Sequence, residues 1–282
     1  MTEKQFQYEM LSDFWDLRKY PTTGWIFRGH CDSNYELQSS LERLCTARSE
    51  WNLSSADKLE DVLEREFIRH YHHYATLLHD EEDHLQWYSI MQHHGAPTRL
   101  LDFTYSVWIA AYFALEEAVD DKGNPRESAI WALNDGWVNK TAAKMYDKDS
   151  QERKYIEAQL DRKDEDAFKK IAIGEDSKKL VLIVNPFRRN ERLSIQKGVF
   201  ACPGDVSAPF VENLKALSGW GKKENLVCLK IPPKMRNDGL RALYSMGISR
   251  TSLFPGLDGF SQSLHYAAPL IWKDIIEHKI KL

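Results

Sequence analysis

The chain has 282 residues, of which 43% are hydrophobic, 12% aromatic and 28% charged, and these fractions exclude a disordered, collagen-like or disulfide-scaffold class. Its 38 Lys and Arg stand against 42 Asp and Glu, so a formal charge of −4 offers no global basic field for a nucleic acid. An anionic ligand has to be held by a local cluster of arginines. Cys31, Cys45, Cys202 and Cys228 show no C-x-x-C spacing, and the opening MTEKQFQYEM has no apolar stretch of the kind an export signal needs. The expectation is a reduced, cytoplasmic protein.

Trp25 to Phe27 (WIF) reads as a short buried strand. Between residues 57 and 79, Leu59, Val62, Leu63, Phe67, Tyr71, Tyr74 and Leu78 recur at three- and four-residue steps, which predicts an amphipathic helix with Asp57 near its N-terminus. A second helix over His84 to Gln92 should stop near Gly95 and Pro97. Tyr105 to Val119 is apolar nearly all round, which predicts a central helix enclosed by other elements and capped by Thr104 or Asp102. Its most apolar part, Val107 to Leu115, is far shorter than the ~20 residues that span a bilayer, so no membrane association is expected.

Further strand-like runs fall at residues 128–133, 180–184, 198–201 and 226–231, while Gln151 to Lys170 is highly charged and reads as a solvated helix or an insertion. Helices early and strands late predict an α+β fold. It would have a helical N-terminal half and a small, mainly antiparallel sheet, assembled from Trp25 to Phe27 and the later strands. No repeat or Pro/Gly-rich linker marks a boundary, so residues 1–282 read as one domain.

Three polar clusters interrupt this apolar framework. Arg28 and Gly29 end the first strand: a guanidinium there can grip phosphate or carboxylate through two parallel hydrogen bonds, and the glycine permits a turn or a close approach to a ligand. The bland alternative is an arginine paired with a nearby acid. Gln92 to Asp102 (QHHGAPTRLLD) is a dense polar turn, read either as a binding site or as a self-satisfied loop in which Asp102 caps a helix and pairs with Arg99. Pro186 to Phe200 carries Arg188, Arg189 and Arg192 and can close one side of an anionic pocket or form a solvated basic loop. Leu253 to Gly259 places Asp258 in a tight turn, where Asp is also favoured for local hydrogen bonding. Seven of the ten histidines lie between His70 and His94, but without metal-ligand spacing, so no metal is expected.

Phe27-Arg28-Gly29, followed by Leu37 to Arg43, and the stretch Gln92 to Asp102 with the apolar helix behind it, resemble the motifs of the FRG-domain family. The segments Arg192 to Phe200 and Leu253 to Gly259 resemble its later motifs, so that the likeness runs from about Trp25 to Leu264. The arginine-glycine at the end of an early strand is also similar to that of mono-ADP-ribosyltransferases, in which such an arginine holds the diphosphate of NAD.

The resemblance implies a bacterial toxin or phage-defence effector, ADP-ribosyltransferase-like, with NAD as co-substrate and no metal. Its acceptor would be RNA, another nucleic acid or a protein, and its partner an antitoxin or defence-system protein. Catalytic roles fall to Arg28, His93 and Asp102 or Asp258, although neither acid sits in a Gln-x-Glu or Glu-x-Glu pattern. Cofactor contacts fall to Arg28, Gly29, Gln92, Thr98, Arg99, Arg192, Gln196 and Phe200, the last by stacking. Arg28, the 92–102 motif and Gln196 should converge on one pocket of net positive charge. Two other readings use the same residues. One is a metal-independent ribonuclease-type toxin with His93 as general base and Arg28 or Arg99 on the phosphate, and the other is a non-catalytic nucleotide-binding sensor.

Overall fold

The computed structural model describes residues 6–21, 23–47, 52–75, 83–158, 165–174 and 177–267. Among the described residues seven strands form one sheet: β1 (Tyr8–Met10), β2 (Trp25–His30), β3 (Leu101–Thr104), β4 (Ser128–Asn134), β5 (Val181–Val184), β6 (Gly198–Pro203) and β7 (Leu226–Ile231). Their spatial order is β1-β7-β4-β2-β3-β6-β5, with β1 parallel to β7 and every other pair antiparallel. The helices up to the middle of the chain are α1 (Ser40–Ala47), α2 (Ala56–Tyr71), α3 (His84–His93), α4 (Val107–Leu115), α5 (Asp135–Ala143), α6 (Gln151–Glu157) and α7 (Glu165–Ala172). Those that follow are α8 (Glu191–Ile195), α9 (Phe210–Lys215), α10 (Arg236–Ser245), α11 (Arg250–Leu253) and α12 (Leu257–Ala267).

The pleat sends alternate side chains to opposite faces, and the central strands are apolar on both. Ile26, Trp131, Leu133, Leu226 and Cys228 join a core with Tyr88 and Met91 of α3, Val138 of α5, Phe168 of α7 and Leu214 of α9. Phe27, Ile130, Ala132, Val227 and Leu229 face the other way, onto α4, Leu240 and Leu243 of α10, and Phe14 and Leu17. α4 lies between the sheet and a second layer formed by α10 and Phe14, which explains why it has no polar face: seven of its nine residues are buried.

The α+β class expected from the sequence is the observed one, but its distribution differs. Among the described residues three strands lie before residue 105 and five of the α-helices lie after residue 190, so helices are not gathered in the first half, and the sheet is not small. The central helix is shorter than expected because residues 101–104 are a strand; Ser106, not Thr104 or Asp102, caps it by accepting from the Ile109 N–H at 3.4 Å. The charged stretch at 151–170 contributes residues to two helices, α6 and α7, which reach the core through Ile156 and Phe168. The long helix expected over 57–79 ends at Tyr71, and residues 76–79 lie outside the described residues.

One feature of the sheet creates the site. All six residues of β2 pair with β4, whereas on its other side β2 pairs with β3 only at Phe27 and Thr104. Beyond that point the two strands diverge, and β2 is held by α4 instead. Gly29 makes this contact: a Cβ there would lie 2.1 Å from the Ala110 carbonyl oxygen and 2.5 Å from the Ala114 nitrogen, both helix backbone. The glycine is required for the close approach of β2 to α4.

Candidate functional site

A cavity of about 840 Å³ occupies the opening between β2 and β3, closed on its far sides by α8 and by the segment from α11 to α12. Arg28 enters it from β2. Its Nη1 donates to the Asp102 carbonyl at 2.7 Å, across the unpaired part of the ladder, and its Nε donates to Nε2 of His30 at 3.1 Å. The carbonyl of Tyr35, which can only accept, lies 3.1 Å from Nδ1 of His30, so Nδ1 carries the ring proton and Nε2 is the acceptor for Arg28. Burial, and then the Arg28 charge, push the His30 pKa down to about 4, which keeps the ring neutral. Burial also lowers the pKa of Arg28, with Asp102 opposing it, yet a guanidinium stays protonated. Among the described residues no carboxylate oxygen comes within ion-pair distance of Arg28.

Arg192, in α8, faces the same cavity and is likewise half-buried without an ion pair among the described residues; its guanidinium lies 4.6 Å from the centroid of the Phe254 ring. Arg250 approaches that ring at 4.7 Å but is neutralised by Glu116 at 2.8 Å. Burial raises the pKa of Glu116, opposed by hydrogen bonds from Tyr112 and Arg250. Asp102 and Asp258 are both exposed on the lining, Asp102 from β3 and Asp258 from the first turn of α12 rather than from a free turn. His93, at the end of α3, is half-buried; burial, then His94 and Arg192, lower its pKa, so it too is neutral near pH 7. Gln196 lines the cavity and donates through Nε2 to the Leu253 carbonyl at 3.1 Å, tying α8 to α11.

Arg28, Gly29, His93, Asp102, Arg192, Gln196 and Asp258 therefore border one cavity despite their separation in sequence. Four other residues expected there do not. Arg99 is interior: its Nε donates to Glu60 at 2.7 Å, its Nη2 to the same carboxylate, its backbone N–H to Glu60 at 3.0 Å and its Nη1 to the Ala172 carbonyl. It fastens α2 and α7 to the loop before β3, and its ion-pair partner is Glu60 rather than Asp102. Thr98 is wholly buried, bonded to Gln92 and Ser40. Phe200 is a core residue of β6, paired with Asp102 in the ladder, and offers no ring to the cavity. Gln92 stands behind the wall, bonded to Asp102.

The expected excess of positive charge is also absent. Among the described residues the lining holds three arginines against five carboxylates, because Glu116, Glu117 and Glu191 join the two aspartates. Positive character is confined to Arg28 and Arg192. Glu116, Glu117 and Arg250 were not singled out from the sequence; the pair of glutamates that follows the apolar run of α4 was the available signal. Arg188 and Arg189 are exposed, as a solvated loop requires.

Among the described residues no group of three or more His, Cys, Asp or Glu side chains is arranged to hold a metal ion, and no helix is long and apolar enough to cross a membrane. Residues 23–123 match the family model described as FRG domain, a span that contains β2, the 92–102 motif and α4. No curated protein and no solved structure matches the chain.

Proposed function

Because residues 23–123 carry an FRG domain, we propose that the protein is an NAD-dependent ADP-ribosyltransferase-like effector of the bacterial toxin or phage-defence type, binding the diphosphate of NAD between Arg28 and Arg192. The observation that carries this reading is a pair of half-buried guanidiniums, both without a carboxylate partner among the described residues, facing one cavity. Burying a charge is costly unless something compensates it, and an anionic ligand is the compensation that fits. The protein uses two donors of Arg28, leaving the remaining donors of its five N–H groups for a phosphate. The volume, about 840 Å³, lies within the range of roughly 300–1,000 Å³ typical of ligand sites.

Breaking the bond between nicotinamide and ribose builds positive charge on the sugar. An acceptable site supplies negative charge at that point and neutral groups around it. Asp102 and Asp258 supply the first, and neutral His30 and His93 the second. The acceptor is a nucleic acid or a protein, and an antitoxin or other defence-system protein is the expected partner. A neutral half-buried His93 beside Arg192 also suits a ribonuclease-type reading, with His93 taking the proton of a ribose hydroxyl.

Incubating the purified protein with adenylate-labelled NAD and cell extract tests the reading. Release of nicotinamide and transfer of label to a macromolecular fraction is the expected result. RNA cleavage without NAD would replace it with the ribonuclease reading, and tight nucleotide binding without turnover with a sensor.

A further inference from the structure

Gln92 and Thr98 belong to the most distinctive motif of the chain, yet neither lines the cavity. Their hydrogen bonds run in one direction. The Leu100 N–H donates to Oγ1 of Thr98 at 3.3 Å, so the hydroxyl proton is turned towards Oε1 of Gln92, 2.6 Å away. With Oε1 committed as an acceptor, Nε2 of Gln92 faces the Leu100 carbonyl at 3.4 Å and Oδ2 of Asp102 at 2.8 Å. Thr98 is itself immobilised: its N–H donates to Ser40 Oγ at 2.9 Å and its carbonyl accepts from the Leu41 N–H at 3.0 Å. Rotating the Gln92 amide would orphan a hydroxyl in a fully buried residue. The Asp102 main chain is fixed as well, by the β6 ladder and by Arg28 on its carbonyl. No comparable hydrogen bond reaches the Asp258 carboxylate among the described residues.

Resting on the NAD reading above, we propose that Asp102 is the carboxylate that faces the ribosyl centre and that Gln92 is its positioning residue, holding one oxygen so that the other is presented to the cavity. In the step assigned to it, the C1′–N bond breaks and its electron pair neutralises the pyridinium nitrogen, so nicotinamide leaves uncharged. A lone pair of the acceptor forms the new bond to C1′, and the acceptor's proton passes to solvent or to Asp102. A carboxylate fixed before the charge develops avoids reorganising during the step.

The test is a double-mutant cycle on the full chain, with NAD affinity by calorimetry, nicotinamide release and thermal melting measured for each protein. Asp102→Asn should lower kcat by about 100-fold or more with NAD affinity within about threefold, as for removal of an electrostatic stabiliser. Gln92→Glu keeps the acceptor for Thr98 but turns a carboxylate on Asp102, and should lower kcat about tenfold. In the double variant Gln92→Glu/Asp102→Asn the kcat should equal that of Asp102→Asn alone within about twofold, since a residue acting through another adds nothing once the other is gone. Should Gln92→Glu fail to fold, Thr98→Val, which removes the hydroxyl that orients the amide, carries the same expectation. Multiplied losses in the double variant, an unchanged kcat in Gln92→Glu, or a loss confined to NAD affinity would overturn the proposal while leaving the NAD reading intact. Binding without nicotinamide release by the unmodified protein overturns the role of Asp102. Absence of NAD binding by that protein overturns the NAD reading itself.

Discussion

Replacing Arg99 by Met separates two roles that its sequence position does not distinguish, ligand contact and structural fastening. The substitution keeps an apolar chain of similar reach and deletes the guanidinium. Glu60, whose side chain is 1% exposed, would lose every side-chain donor that Arg99 supplies and keep the Arg99 backbone N–H at 3.0 Å. Removing one partner of a buried ion pair costs about 3–5 kcal/mol. An unfolding entropy of about 2.1 cal/mol/K per residue, taken over a chain of this length, converts that to a fall of about 5–8 °C in Tm. The double variant Glu60→Leu/Arg99→Met should recover most of the loss, because an apolar pair removes the stranded charge instead of leaving it. The assay is thermal melting of the three proteins, with NAD titrations at a temperature where all are folded. Affinity within about twofold of the parent is expected, since Arg99 does not border the cavity. A folded Arg99→Met protein with unchanged Tm and no NAD binding would refute the structural assignment.

Gly29→Ala should destabilise by about 1–3 kcal/mol or prevent folding, because its Cβ meets the backbone of α4, which can yield only by moving the helix; melting with an Arg28-independent probe checks it, and an unchanged Tm would show that β2 and α4 are farther apart. His30 is neutral in the fold, with its pKa pushed down to about 4, whereas the unfolded chain binds the proton near the ordinary value of 6.5. Its contribution is therefore present above pH 6.5 and is lost as pH falls towards 4, so His30→Gln should flatten that part of the stability profile measured by denaturant titration. A parallel slope in the variant would remove His30 as its origin. Arg192→Met breaks no ion pair among the described residues, so stability should stay within about 0.5 kcal/mol, while NAD affinity falls about tenfold to 150-fold, the value of a charged hydrogen bond.

Legibility followed length and burial. The runs at 128–133 and 226–231 coincide with β4 and β7 to within a residue, because both strands are apolar on both faces and bounded by polar residues. β1 has three residues and an exposed outer pattern, too short for any period to register. β3 was hidden inside a motif: Leu101 and Phe103 point into the core while Asp102 points out, but the polar turn before and the helix after claimed its ends. The same motif shows why site residues were only partly separable. Its side chains go alternately to the cavity, to a neighbour and to the interior, and the partner that decides for Arg99 is Glu60, on a helix 39 residues earlier. Chemistry marked the motif as a whole; only packing distributes its members. Arg250 and Glu116 were invisible for the complementary reason, that each looks ordinary until the fold joins two positions 134 apart in sequence.

The most direct measurement is NAD affinity by calorimetry, alongside thermal melting, for the parent, Arg28→Lys and Arg28→Ala. Lysine keeps the charge but loses the two-pronged geometry, so binding should weaken by about 1.5–3 kcal/mol, or tenfold to 150-fold, with a larger loss for alanine. Both variants should remain folded, as Arg28 loses no ion pair among the described residues. NAD bound by a folded Arg28→Ala protein with the parent's affinity would take Arg28 out of the site and contradict the reading of the cavity between β2 and β3 as a dinucleotide site.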